Sequence, residues 1–364
     1  MGRYWYRQME YAKARTFFVT VGTEDEHYVA SQFFIGITYV RERTAQSAAD
    51  AFQKIVAMFE DELFLSDEEE RFLNLAYLSM ARIYYTTQHF ASAMEAWDRI
   101  PLNSEYWLDS VFEKSWAYYM VEDFPRALGN IHTINSPFFE EQFYPESVVL
   151  KAVIYFTLCQ YDYAQQTVEK FFEEYQPVLE ALTEKINQYL DNYSFYRFLV
   201  ELKGGTAEVD ARVARVINTA LSDRTLLRNL DYVNVLEAEE ARLQSMPQGF
   251  KSSSVGERIV QDIGIAKGIA IENAGDLARR RYERFLTELQ ELLNQATRVE
   301  IEIINAIRGQ LSAELQGAQV ANSPGREMEA IDTDSEHMLW PFEGEFWRDE
   351  LGFYQQPVVS KCGR

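Results

Sequence analysis

Two cysteines, Cys159 and Cys362, are all that this 364-residue sequence contains, too few for a disulfide scaffold or a zinc finger. Histidine is as scarce: His27, His89, His132 and His337 fall one to a region, with no HExxH pair and no cysteine at ligand spacing, so no metal is expected. There is no uncharged apolar run of about eighteen residues, hence no candidate transmembrane segment. Met1 leads directly into the mixed stretch GRYWYRQME, which is not a signal peptide. Gly264 and Gly268 of GIAKGIAIENAG sit inside a helical pattern and precede no Lys-Ser or Lys-Thr pair, which excludes a phosphate loop, and no GxSxG elbow occurs. Positive charge is also short. With 35 Lys and Arg against 57 Asp and Glu, the formal charge of −22 disfavours non-specific attraction to nucleic acid or anionic lipid and suits a basic or neutral partner.

What the sequence has in quantity is apolar and aromatic material, 47% and 14% of residues, enough to build a core. Its length exceeds what one core supports, about 250 to 300 residues, so two or more parts are expected. An internal period organises the first half. Tyr118, Phe124 and Ala127 align with Tyr84, Phe90 and Ala93 thirty-four residues earlier. The same frame catches Gly36, Tyr39, Ala48 and Phe52, then Ala152, Tyr155, Tyr161 and Ala164, and at the start Gly2, Trp5, Tyr11, Ala14 and Phe18. The small first slot (Gly2, Gly36, Ala81, Ser115, Ala152) recurs at intervals of 34, 45, 34 and 37. Small residues let paired helices approach while large rings fill the space between pairs. The longer interval falls around FEDELFLSDEEERF, read as an extended loop or lengthened helix ends, and Pro137 and Pro177 are read as closing hairpins.

Beyond Pro177 the period gives way to long helices. VLEALTEKINQYLDNYSFYRFLVEL reads as one capping helix ending at Gly204 and Gly205. A helix from about Thr206 to Met246, with a broken seam at Val209, Val213, Val216, Ala220, Leu227 and Leu230, is followed by one from about Val255 to Leu315. The latter places Ala278, Tyr282, Phe285, Leu289, Leu292, Ala296, Val299, Ile303 and Ala306 at coiled-coil spacing. Two such helices fold back on each other as an arm of roughly 60 Å, or pair with a second copy through residues 206–320. NSPGREMEAIDTDSEHM reads as a polar linker before LWPFEGEFWRDELGFY, whose Trp340, Phe342, Phe346, Trp347, Leu351, Phe353 and Tyr354 are expected to dock rather than stay solvated. Glu343, Glu345, Asp349 and Glu350 lie in that one segment without the scaffold a glycosidase pair needs, so they read as solvated charges beside buried rings.

The two intervals of 34, with their small, aromatic and alanine slots, resemble the tetratricopeptide (TPR) repeat. That resemblance implies an all-α fold: a right-handed superhelix of antiparallel helix pairs over 1–177, a capping helix at 178–205, a helical hairpin at 206–320 and a tail at 321–364. Its groove-facing slots are Arg3, Tyr6, Arg7, Ile37, Arg41, Arg82, Tyr85, Phe112, Trp116, Tyr119 and Phe156, rich in the arginine and aromatics of binding hot spots. TPR proteins that clamp a C-terminal carboxylate carry lysine and asparagine in these slots, and this chain does not.

The runs FEKSWAYYMVEDFPRALGNIHTINSPFFEEQFYPESVVLKAVIYF, ALSDRTLLRNLDYVNVLEAEEARL and WPFEGEFWRDELGFY further resemble TPR proteins of myxobacteria and related delta-proteobacteria. Some of these are labelled adventurous gliding motility proteins, and related repeats occur in outer-membrane assembly lipoproteins. The resemblance implies a non-enzymatic, cofactor-free scaffold of the cell envelope that binds a protein or peptide segment in its groove. The alternative is a self-associating protein whose arm dimerises and whose tail docks in a groove, with Arg41 and Arg82 facing the tail's carboxylates. Because the first repeat begins at its own small slot, the natural chain is expected to extend upstream, where a signal sequence would direct it to the envelope; otherwise it is cytoplasmic.

Overall fold

The computed structural model describes residues 1–59, 62, 64–207, 209–220, 224–315, 326–328 and 340–362. Among them are fifteen α-helices, one 3-10 turn at Pro137–Phe139 and two three-residue strands, so the protein is all-α. Most of the polar linker, including His337, lies outside the described residues. The chain divides into two compact units: Met1–Phe138 with Asn322–Arg364, and Phe139–Ala321.

The first unit holds α1 (Gly2–Arg7), α2 (Tyr11–Phe18), α3 (Tyr28–Arg41), α4 (Ala45–Phe59), α5 (Asp67–Thr86), α6 (Phe90–Asp98), α7 (Trp107–Met120) and α8 (Phe124–Ile134), each packed on the next. The small slots do what their size requires. A Cβ added to Gly2 would lie 2.6 Å from the Phe18 ring, and one added to Gly36 would lie 2.5 Å from the Phe52 ring. Sixteen residues beyond each small slot stands a large buried side chain: Phe18, Phe52, Trp97, Ile131 and Val168. The alanine slots Ala14, Ala48, Ala93, Ala127 and Ala164 are all 0% exposed, which identifies them as the closest points of helix packing.

The repeat is written into the backbone too. Met9, Arg43, Gln88, Glu122 and Cys159, each seven residues past its small slot, take φ between 54° and 62°. At every one the following residue donates its N–H back to the helix, Glu10 to Trp5 O, Thr44 to Tyr39 O, His89 to Tyr84 O, Asp123 to Tyr118 O and Gln160 to Tyr155 O, at 2.8 to 3.0 Å. This is the Schellman closure, which satisfies carbonyls at the helix end and turns the chain back. The five copies make five helix pairs, the last being α9 (Pro145–Thr157) and α10 (Tyr161–Gln188) in the second unit.

The extra length of the 45-residue interval goes into both a connection and a longer helix: α5 has 20 residues where α3 and α7 have 14. Ser66 and Glu69 form a reciprocal capping box at its start, and those hydrogen bonds hold the Glu69 carboxyl below the usual range. Asp67, Glu68, Glu69 and Glu70 complement the helix dipole in that first turn.

In the second unit two expectations are corrected. Pro177 does not close a helix but lies inside α10, because Phe171 and Tyr175 before it and Val178 and Leu182 after it are all buried and hold the helix across the missing hydrogen bond. The single capping helix is two, since α10 ends at Gln188 and α11 (Asn192–Lys203) restarts with Asp191 as N-cap, accepting from Ser194 N at 2.9 Å. The described residues of the span from Thr206 to Met246 include the helical stretches α12 (Ala211–Ala220) and α13 (Arg224–Gln244), with residues 221–223 between them outside the described set, and α14 (Gln248–Lys251) follows.

Then comes α15 (Ser254–Leu315), 62 residues and about 90 Å long. Ala278, Tyr282, Leu289, Ala296 and Ile303 of its seam are buried, with Leu293 in place of Leu292. α13 packs along α15, where Lys267 meets Glu240 at 2.9 Å and Glu237 at 3.4 Å. From Gly275 onward α15 meets α10 and α11: Gly275 sits against the Asn192 backbone, Arg279 Nη1 donates to Tyr189 O (2.6 Å) and Tyr282 Oη donates to Leu182 O (2.8 Å). The Arg279 donor satisfies the carbonyl at the C-cap of α10, and the Tyr282 hydroxyl adds a bond to a carbonyl within that helix.

Candidate partner-binding surface

Ten of the eleven predicted groove positions fall on α1, α3, α5 and α7, the first helices of the four pairs in the first unit; Phe156 lies on α9 in the second. None of the eleven is buried. Their surroundings differ. Ile37 and Tyr85 lean on the cores around Phe52 and Trp97, so they are partly structural. Tyr85 also meets the Phe90 ring at 5.5 Å, and Phe156 meets Tyr161 at 5.7 Å. Trp116 and Tyr119 stand edge to face at 5.9 Å on α7, and Tyr119 meets Phe124 at the same distance, so the half-buried rings brace one another as an aromatic shelf.

The arginines are of two kinds. Arg82 on α5 donates from Nε to both oxygens of Glu113 on α7, each at 2.9 Å. Partial burial works against its charge, but Glu113 and Asp109 more than offset this and raise its pKa. Arg82 thus ties two repeats together. Arg3 lies over the Phe34 ring at 5.1 Å, and the Tyr6 phenol raises the already high Arg41 pKa. Tyr6 itself is 5.8 Å from the rings of both Phe34 and Tyr11.

The aromatic tail does dock, on α8. Phe342, Phe346 and Tyr354 surround the His132 ring at 4.6, 4.7 and 5.0 Å. Gly352 N donates to Thr133 Oγ1 and Gln356 N to Pro125 O, both at 3.0 Å, and Leu351 is buried. The backbone of Tyr354 lies so close to Gly129 that a Cβ there would be 1.6 Å from Tyr354 O. Downstream, Val358–Ser360 pairs antiparallel with Arg326–Met328. Trp340, Trp347 and Phe353 remain mostly exposed. The expected tail carboxylates opposite Arg41 and Arg82 are not found: those arginines face Tyr6 and Glu113, and the tail's anchors are on α8. His132 and Gly129 escaped the sequence reading. A glycine inside a helix whose space is filled by backbone from two hundred residues away leaves no periodic trace.

Among the described residues no group of three His, Cys, Asp or Glu is placed to hold a metal ion, and no helix is long and apolar enough to cross a membrane. Neither cysteine is a free thiol. No protein-family model and no curated protein matches this chain.

Proposed function

We propose that the protein is a non-enzymatic, TPR-like scaffold that binds a segment of a partner protein on the first-helix face of its repeats. The observation that carries this reading is the coincidence of two patterns in the first unit. The positions that build the stack, Gly2 and Phe18, Gly36 and Phe52, are buried, while the arginine and aromatic positions on the same first helices are left at the surface. Large rings held rigid and partly open supply binding energy at low entropic cost. The Trp116 and Tyr119 shelf is the strongest candidate anchor. A cell-envelope location, and a role in an assembly such as gliding motility, rest on the family resemblance; the absence of free thiols accords with an oxidising compartment.

Affinity capture with the full chain tests the reading. Changing Phe112, Trp116 and Tyr119 to alanine should abolish capture of the partner while leaving the helical content intact. Retention of the same partner by this variant would refute it.

A further inference from the structure

The first-helix face carries a cluster of uncompensated charge at one end. Within the first unit, Lys13, Arg15, Arg71, Arg82 and Lys114 each face a carboxylate within 4.0 Å. A chain with 57 acidic residues supplies such partners readily. Among the described residues, none lies within that distance of Arg3, Arg7 or Arg41, and all three are exposed. They also belong together. Arg3 and Arg7 are four apart on α1 and share one helix face, Arg3 covers the Phe34 ring of α3, and Tyr6, which stands between them in sequence and meets the Phe34 ring at 5.8 Å, also acts on Arg41 at the end of α3.

We infer that Arg3, Arg7 and Arg41, gathered around Tyr6 and Phe34, receive an acidic, extended segment of the partner protein; this deepens the groove reading above and rests on it. The chemistry is specific. Guanidinium groups present planar donor forks that match carboxylates, and Arg3 is already held against the Phe34 ring face, so it loses little rotamer freedom on binding. A long polyanion fits poorly, because the part of it that runs past the three arginines lies against the surface of a chain whose net charge is −22. A short acidic stretch meets three cations before it meets that field. The charge of the whole molecule suits a basic partner, but this end of the face selects the opposite sign locally.

Fluorescence anisotropy of a fluorescein-labelled polyglutamate peptide with the full-length protein at physiological ionic strength provides the test. Binding should weaken about tenfold for each of Arg3→Ala, Arg7→Ala and Arg41→Ala, and the corresponding lysine variants should fall between. Absence of binding to the unmodified protein, binding unchanged in the triple alanine variant, or equal binding of a single-stranded oligonucleotide would each overturn the inference. The two readings fail separately. Loss of the acidic-peptide result while partner capture still depends on Trp116 and Tyr119 removes the acidic assignment alone.

Discussion

Single residues in this fold carry conformational costs that can be read directly. Five non-glycine residues occupy the left-handed region at equivalent turns, a conformation that costs an L-residue about 1 kcal/mol and glycine almost nothing. Glu122→Gly should therefore raise the unfolding free energy by about 0.5 to 1 kcal/mol in urea titrations. A decrease would show that the Glu122 side chain has a role outside the turn. Tyr118 makes a second residue-scale case. Burial, reinforced by Asp98, pushes its phenol up to about 12. A folded pKa above the unfolded value of about 10 means that the neutral form is favoured by folding. Stability from this group is full below about pH 10 and is lost as pH rises toward 12. Tyr118→Phe should flatten that part of an alkaline stability profile, and an unchanged slope would move its origin elsewhere.

At the scale of elements, the α8 and tail contact can be separated from the helix that bears it. Gly129→Ala favours the helix by about 1 kcal/mol of intrinsic propensity yet drives a methyl into the Tyr354 carbonyl. Residues 340–356 should become sensitive to limited proteolysis while α8 stays protected from hydrogen exchange; a tail that remains protected would contradict the docking geometry. Elements also show where sequence reading succeeds and where it stops. The pairing of Gly36 with Phe52 and the burial of Ala48, Ala93 and Ala127 were legible, because helix packing at a fixed period needs small and large residues at fixed offsets. The start of α15 near Val255 was legible, and so was most of its buried seam. The run of α10 through Pro177 was not, since burial on both sides of the proline overrides a local preference. Nor could the seam of α15 announce that α10 and α11 would cover it: an apolar stripe states that something packs there, not what.

For the molecule as a whole, one set of positions stacks the helices, and the proposed recognition falls to another set on the same helices. The Arg82 to Glu113 pair shows the limit of that division, for a residue type favoured in binding serves there to join α5 to α7. Arg3, Arg7 and Arg41, which face no carboxylate among the described residues, define with the Trp116 and Tyr119 shelf the face on which the functional proposal stands. Site-specific photo-crosslinking in cells is the most direct measurement. A benzophenone side chain replacing Trp116 on α7 should trap a partner in one discrete adduct, and the same group replacing the exposed Phe17 on α2 should trap none. No adduct from position 116, or the same adduct from both positions, would contradict a binding face on the first helices.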